Sequence, residues 1–335
     1  MKWFGRFRSG GRNDGLPDGV PERERRVARD AKRRRIWAVG GGKGGVGKSF
    51  IASSLGLLLA RDGARVLLVD ADLGASNLHT FLGMNAARQT LSNFLKGRVS
   101  DIRELVTATG YENLDIVCGA RDSLDVADMG GPRLGRLERA LHGLDYDNII
   151  LDIGPGTSSN MLDMFLFAGL GILVTTPEPT SIENTYRYLK CLFARQIRRI
   201  TESEEDLRLK SLLRSVFNSR SARTIADIFV ELRRMDPGGE EMVRGMMAET
   251  RISLLVNQAR RDKDGDIGRL MQTACYNYFG MDVGYAGHVS YEGIVSDAVR
   301  ARKPFVIGYP GSETAAALQA CLVRIGHWSA EEVGF

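Results

Sequence analysis

An α/β fold, with a mainly parallel twisted sheet and helices on both faces, is what this sequence predicts, and three observations predict it. Short apolar runs recur from Ile36 onward, stretches with helical spacing separate them, and the first run ends in a glycine-rich turn. The runs span 36–39, 66–69, 114–117, 149–153, 172–175 and 252–256, with a weaker one near Val283. Runs this continuous suit strands covered on both faces, and helical patterns of roughly 10–15 residues between them make βαβ units.

The runs are not spread evenly. Residues 1–35 hold 12 Lys/Arg against 5 Asp/Glu, a charge of +7, whereas the whole 335-residue chain carries +5. The basic character therefore belongs to a leader, which argues against a whole-body nucleic-acid binder. Rich in Gly, Arg and Asp and poor in aliphatics, positions 1–35 read as disordered, interrupted by Trp3, Phe4 and Phe7 among Lys2, Arg6 and Arg8. Residues 36–330 read as one domain. Within it, 190–250 is densely charged and helix-rich with no strand run, and is expected to be a helical insertion. Cys118, Cys191, Cys275 and Cys321 stand far apart. With no C-x-x-C they exclude a zinc ribbon, a thioredoxin-like site and a paired-cysteine iron–sulfur carrier, and read as core thiols in a reducing cytosol. No stretch approaches the roughly 20 apolar residues of a membrane span, and the N-terminus lacks the apolar core of a signal peptide. A cytoplasmic location is expected.

The glycine-rich turn is Gly42-Lys43-Gly44-Gly45-Val46-Gly47-Lys48-Ser49, which fits G-x-x-x-x-G-K-[ST]. Glycines let successive backbone N–H groups turn inward around phosphate oxygens. The helix expected from Lys48 to Arg61 adds its unpaired N-terminal amides and the positive end of its dipole. Lys48 is placed to bridge β- and γ-phosphates and the Ser49 hydroxyl to ligate Mg²⁺. A merely connecting glycine loop is the alternative, and a strand before it and a helix after it weigh against that.

Two later runs end in acids. Residues 66–69 lead into Asp70-Ala71-Asp72-Leu73-Gly74, at the strand end where α/β sheets bind ligands. Asp70 is placed to hold a Mg²⁺-bound water, and Asp72 to orient a water attacking the γ-phosphate; capping of the following loop is the plainer alternative for each. Residues 149–153 contain Asp152, followed by Gly154. This is a Walker B-like strand end, with Asp152 acting on Mg²⁺ through water and Gly154 able to follow the γ-phosphate.

The second lysine of the loop, Lys43, carries a resemblance. GKGGVGKS at 42–49 resembles the deviant Walker A motif of the MinD/ParA ATPases, VDADLGASNLHTFLG at 69–83 and LDIGPGTS at 151–158 resemble their two switch segments, and VTTPEPTS at 174–181 the segment that follows. The wording is most similar to the FlhG (FleN, YlxH) branch, and the likeness covers about 33–325 apart from the insertion. It implies a P-loop NTPase fold, a Mg²⁺-dependent ATPase that forms a homodimer when ATP is bound, and a role in the number or placement of flagella. It implies that Lys43 reaches the partner's nucleotide, acting with Lys48 and Asp72 in catalysis. Gly42, Gly44, Gly45, Val46, Gly47, Lys48, Ser49 and Phe50 would cradle phosphates, Asn257 would read adenine, and Ser49, Asp70 and Asp152 would serve the metal.

Departures from the family pattern mark where the implication thins. Phe50 stands where a hydroxyl residue often follows the Walker Ser/Thr. The loop Gly287-His288-Val289-Ser290-Tyr291 lacks the usual Pro beside the base. Residues 1–35 lack the D-Q-A-x-x-L-R type of activator signature through which an FlhF-type GTPase would be stimulated. Leu318, Cys321, Leu322 and Ile325 have helical spacing but no Lys/Arg-rich face, and Glu331-Glu332 follow, so core packing fits better than a membrane helix. Residues 2–8 remain open as a weak peripheral membrane contact or a solubilising tail. Arg195, Arg198 and Arg199 remain open as a grip on DNA phosphates, the ParA-like alternative, or as a solvated face, since 190–250 nearly balances at 12 basic against 10 acidic residues.

Overall fold

The computed structural model describes residues 35–119, 131–203, 205–217 and 224–330. The expected leader, with Trp3, Phe4 and Phe7, lies outside the described residues except for Arg35. Among the described residues eight strands form one sheet in the order β3-β4-β2-β5-β1-β6-β7-β8. These are β1 (Arg35–Gly40), β2 (Val66–Ala71), β3 (Val106–Ala108), β4 (Leu114–Val117), β5 (Asn148–Ile153), β6 (Leu170–Thr175), β7 (Arg251–Ala259) and β8 (Gly284–Ser290). Six of the seven neighbouring pairs are parallel. Only the edge strand β3 runs antiparallel, against β4. The apolar runs had shown no strand there, because three residues, Val-Thr-Ala, are too short to show a pattern.

Both faces of the sheet are covered, which is why its strands read as unbroken apolar runs rather than alternating ones. On one face Trp37, Val39, Leu68, Ile150 and Ile172 pack with the first helix, α1 (Lys48–Arg61). The same cluster takes in Leu318, Cys321, Leu322 and Ile325 of the helix Glu313–Ala330, all buried, as expected for core packing. On the other face Ile36, Ala38, Leu67, Val69 and Leu151 pack with the remaining long helices. Trp37 stays buried because its indole N–H donates to Asn148 Oδ1 at 3.0 Å. Of the four thiols, Cys118, Cys275 and Cys321 are buried and Cys191 is half-buried. Among the described residues no helix is long and apolar enough to cross a membrane.

The charged region at 190–250 belongs to this second face. One unbroken 25-residue helix (Pro179–Ser203) starts beside β6 and runs through position 190, so no break in the backbone marks that boundary. Three shorter helices follow, at Leu207–Phe217, Ile225–Met235 and Pro237–Ala248. Leu213, Phe229, Leu232 and Val243 from them join the same buried cluster as the sheet. Arg195 is not a solvated i,i+4 residue: it forms a two-bonded pair with Asp163 of the helix Ser159–Leu166, at 2.8 and 2.7 Å.

Candidate functional site

Register brings the candidate residues to one edge. Val39 lies beside Asp152, and Asp152 beside Asp70, across the neighbouring strands β1, β5 and β2. All three mark the carboxyl ends of parallel strands, the edge at which open α/β sheets bind ligands.

The loop after β1 holds its shape through two kinds of glycine. Gly45 and Gly47 have φ of +80° and +93°, the left-handed region that only glycine adopts freely. Gly42 is required by crowding: a Cβ there would lie 2.3 Å from the backbone oxygen of Asn184, in the long Pro179–Ser203 helix. Backbone against backbone cannot yield by a rotamer change. Gly42→Ala is therefore expected to cost about 2–3 kcal/mol of stability, read as a lower midpoint in urea unfolding; an unchanged midpoint would show that the helix is not packed on the loop. Gly47 is also the N-cap of α1, and no side chain caps that helix end. A helix end without a side-chain cap suits an anion, because its first amides lack intrahelical acceptors.

Lys48 is buried at 8% exposure, its stem lying over the loop, where a Cβ on Gly41 would meet its Cδ at 3.4 Å. Burial pulls the ammonium pKa below its ordinary value, while Asp152 and then Asp72 act against that. The three side chains are therefore electrostatic neighbours. Asp152 is buried at 1%, and neither of its oxygens makes a hydrogen bond of ordinary geometry. Burial first, and the Asp70 charge second, push its carboxyl up to about 8; the Ser49 hydroxyl and Lys48 lie close enough to oppose the rise. A buried carboxylate with two orphaned oxygens beside a serine hydroxyl is a donor set that suits a hard cation and its waters. Mg²⁺ fits the pair Ser49 and Asp152.

Asp70 has a different employment. Its Oδ2 accepts from the Ser76 hydroxyl at 2.6 Å and the Leu78 amide at 3.0 Å, and its Oδ1 from the Asp72 amide at 3.2 Å. Burial pushes its carboxyl up to about 6 against these bonds. These bonds tie Asp70 to the turn that follows it, between Asp72 and Leu78. Asp72 is half-buried and also organises that turn, its Oδ1 accepting from the Gly74 and Ala75 amides at 3.1 and 3.0 Å. It faces Gly154, where a Cβ would lie 2.9 Å from the same oxygen.

Other candidates have partners that the sequence did not announce. Lys43 Nζ donates to Thr180 Oγ1 at 3.1 Å and lies 4.0 Å from Glu178 Oε2, its side chain 43% exposed. Phe50 is buried edge-on against Phe305, ring centres 5.5 Å apart, so it offers the site only its backbone. Gly44 is exposed and Val46 buried. Asn257, implied as an adenine reader, is 5% exposed and donates its Nδ2 to Val46 O at 2.8 Å, so its observed partner is the phosphate loop. Sequence reasoning missed Gln258, which donates Nε2 to Gly45 O at 3.2 Å, along with Ser76, Thr180 and Glu178. Adjacency to Asn257 was the one available hint for Gln258. The loop expected at 287–291 is instead the end of β8 (Gly284–Ser290), and the ring of Tyr291, just past it, lies under the Arg260 guanidinium at 4.0 Å.

Comparison with known proteins agrees with the fold. The antiactivator FleN of Pseudomonas aeruginosa is 33% identical over 160 residues, 47% of this chain and 56% of its own. A putative septum site-determining protein MinD of Oltmannsiellopsis viridis is 34% identical over 154 residues, 46% of this chain and 48% of its own. The chain thus spans about half the length of these curated relatives. Among solved structures, the septum site-determining protein MinD from Pyrococcus horikoshii, complexed with Mg-ADP, shares the fold with a TM-score of 0.59 at 22% identity, over 86% of this chain and 94% of that one. The family model described as the CobQ/CobB/MinD/ParA nucleotide binding domain matches residues 37–274, well over half of the sequence, and the chain belongs to that family.

Proposed function

We propose that this protein is an ATP-hydrolysing switch that controls the placement or number of a cellular structure, flagella first, by pairing two copies around ATP and separating them after hydrolysis. The observation that carries the reading is the pairing of an uncapped helix end and a buried Lys48 with an orphaned buried carboxylate, Asp152. Amides of the loop and of α1 bind the phosphates, and Lys48 neutralises the β- and γ-phosphate charge in a site where low dielectric strengthens the attraction. Ser49 and Asp152 would hold Mg²⁺, which would supply charge neutralisation for the phosphates. Asp72 orients the attacking water. Lys43, at the rim, supplies positive charge to the nucleotide of the second copy. Similarity to FleN supports the flagellar role, and a protein partner such as an FlhF-like GTPase or a polar component reads the altered surface.

Lys43 tests the switch, because it lies outside the buried site. Lys43→Ala is expected to bind ATP as a monomer with affinity within about threefold of the parent, and to fail to form the ATP dimer or to hydrolyse. Light scattering after size exclusion with ATP and Mg²⁺, combined with phosphate release, checks it. A variant that dimerises and turns over normally would remove the lysine's role across the interface.

One surface favours the second reading, an ATP dimer loaded on DNA. Arg198 and Arg214 line a shallow cavity of about 350 Å³ with Thr201, Glu202 and Phe217, on the face of the two helices that follow β6. An ATP-requiring DNA shift that weakens steeply with salt would favour it.

A further inference from the structure

Asn257 and Gln258 are consecutive residues of β7, and consecutive side chains of a strand point to opposite faces. These two nevertheless reach the same loop. The cause is an extra residue in β7: its register passes from Val256 to Ala259 while β8 passes only from His288 to Ser290. Such a bulge re-aims side chains, and bulges gather beside functional sites. Gln258 takes the strain, with φ of +60°, in the left-handed region that disfavours any residue with a Cβ.

The outcome is a pair of donors on a pair of acceptors. Asn257 Nδ2 donates to Val46 O at 2.8 Å and Gln258 Nε2 to Gly45 O at 3.2 Å. In a planar trans peptide the C=O and the next N–H point in opposite directions. Holding the Gly45 and Val46 carbonyls on these amides therefore turns the Val46 and Gly47 N–H groups the other way, as a phosphate-binding concavity requires. The fit is tight enough to dictate sequence in the loop. A Cβ at Gly47 would lie 2.2 Å from Asn257 Nδ2, so the clamp and a side chain at 47 cannot coexist.

We propose that Asn257 and Gln258 form a two-donor clamp that presets the phosphate loop for its anion, with Gln258 as a positioning residue for phosphate. The inference rests on the phosphate-loop reading above. It differs from base recognition in what it predicts: the clamp strengthens the binding of phosphate itself, whether or not a base is attached.

Inorganic tripolyphosphate with Mg²⁺ separates the two, measured by calorimetry on the full chain beside ATP. Gln258→Gly is the key variant, because glycine accepts the left-handed backbone without strain while losing the donor. It is expected to melt no lower than the parent, yet to bind ATP and tripolyphosphate weaker by the same factor, roughly threefold to tenfold, the weight of one hydrogen bond. Gln258→Lys, which restores a donor of similar reach, is expected to recover most of that loss. If Gln258→Gly weakens ATP while tripolyphosphate is unchanged, the residue serves the base and the clamp is wrong. Unchanged affinity for both ligands would overturn it as well, as would a loss that merely follows a lowered melting temperature without rescue by lysine. A parent chain that binds neither ligand would instead sink the phosphate-loop reading beneath it.

Discussion

A Lys48→Met chain is expected to fold and to lose ATP affinity by on the order of a hundredfold. Methionine keeps an unbranched stem over Gly41, so the packing around the loop survives while the charge goes. A hydrogen bond to a charged group contributes about 1.5–3 kcal/mol, and an ammonium bridging two phosphates makes at least two. At about 1.4 kcal/mol per tenfold, two bonds at the lower bound make a hundredfold. Burial works in the same direction, because Lys48 is already desolvated before nucleotide arrives and binding need not remove its water again. Calorimetric titration with ATP and Mg²⁺ reads the effect directly. Retained affinity would refute the assignment of the loop to phosphate.

The second large effect concerns Asp72. Hydrolysis is expected to fall by about a hundredfold to a thousandfold when the carboxylate is lost, within the range for a positioned acid–base group, while ATP still binds and the ATP dimer accumulates. Alanine alone is an ambiguous variant. Asp72 Oδ1 also holds the Gly74 and Ala75 amides, and its loss frees that turn. Asp72→Asn keeps an oxygen acceptor for both amides and removes only the charge. If Asp72→Asn and Asp72→Ala are equally slow in single-turnover phosphate release, the carboxylate acts on the reaction. If the asparagine variant turns over at the parent rate and only alanine is slow, the residue holds the loop and the water-orienting role is lost.

Asp70 and Asp152 show where reading the sequence stops. Each is an acid at the end of an apolar strand, and nothing in their neighbours along the chain ranks one above the other. The fold ranks them: Asp70 has Ser76, Leu78 and Asp72 as donors, whereas Asp152 has orphaned oxygens facing the loop. The same holds for Lys43, whose partner Thr180 is 137 positions away, and for Gln258, whose acceptor is 213 positions away. Phe50 counts as a phosphate-loop residue by position, yet its ring belongs to the core through Phe305. The edge strand β3 escaped notice for a local reason, since three residues cannot show a period.

What the sequence determined by itself is what depends on near neighbours. The unbroken apolar runs specify strands covered on both sides, the glycines of 41–47 specify a loop that backbone amides can line, and acids at strand ends specify the edge where ligands gather. Only the tertiary structure decided which carboxylate is left without donors, where the rim lysine rests, and that a bulge in β7 swings two amides onto the loop. The division has one physical cause. Backbone preference and periodicity act over a few residues, whereas burial, hydrogen-bond satisfaction and charge pairing are settled by groups that meet only after the chain has folded.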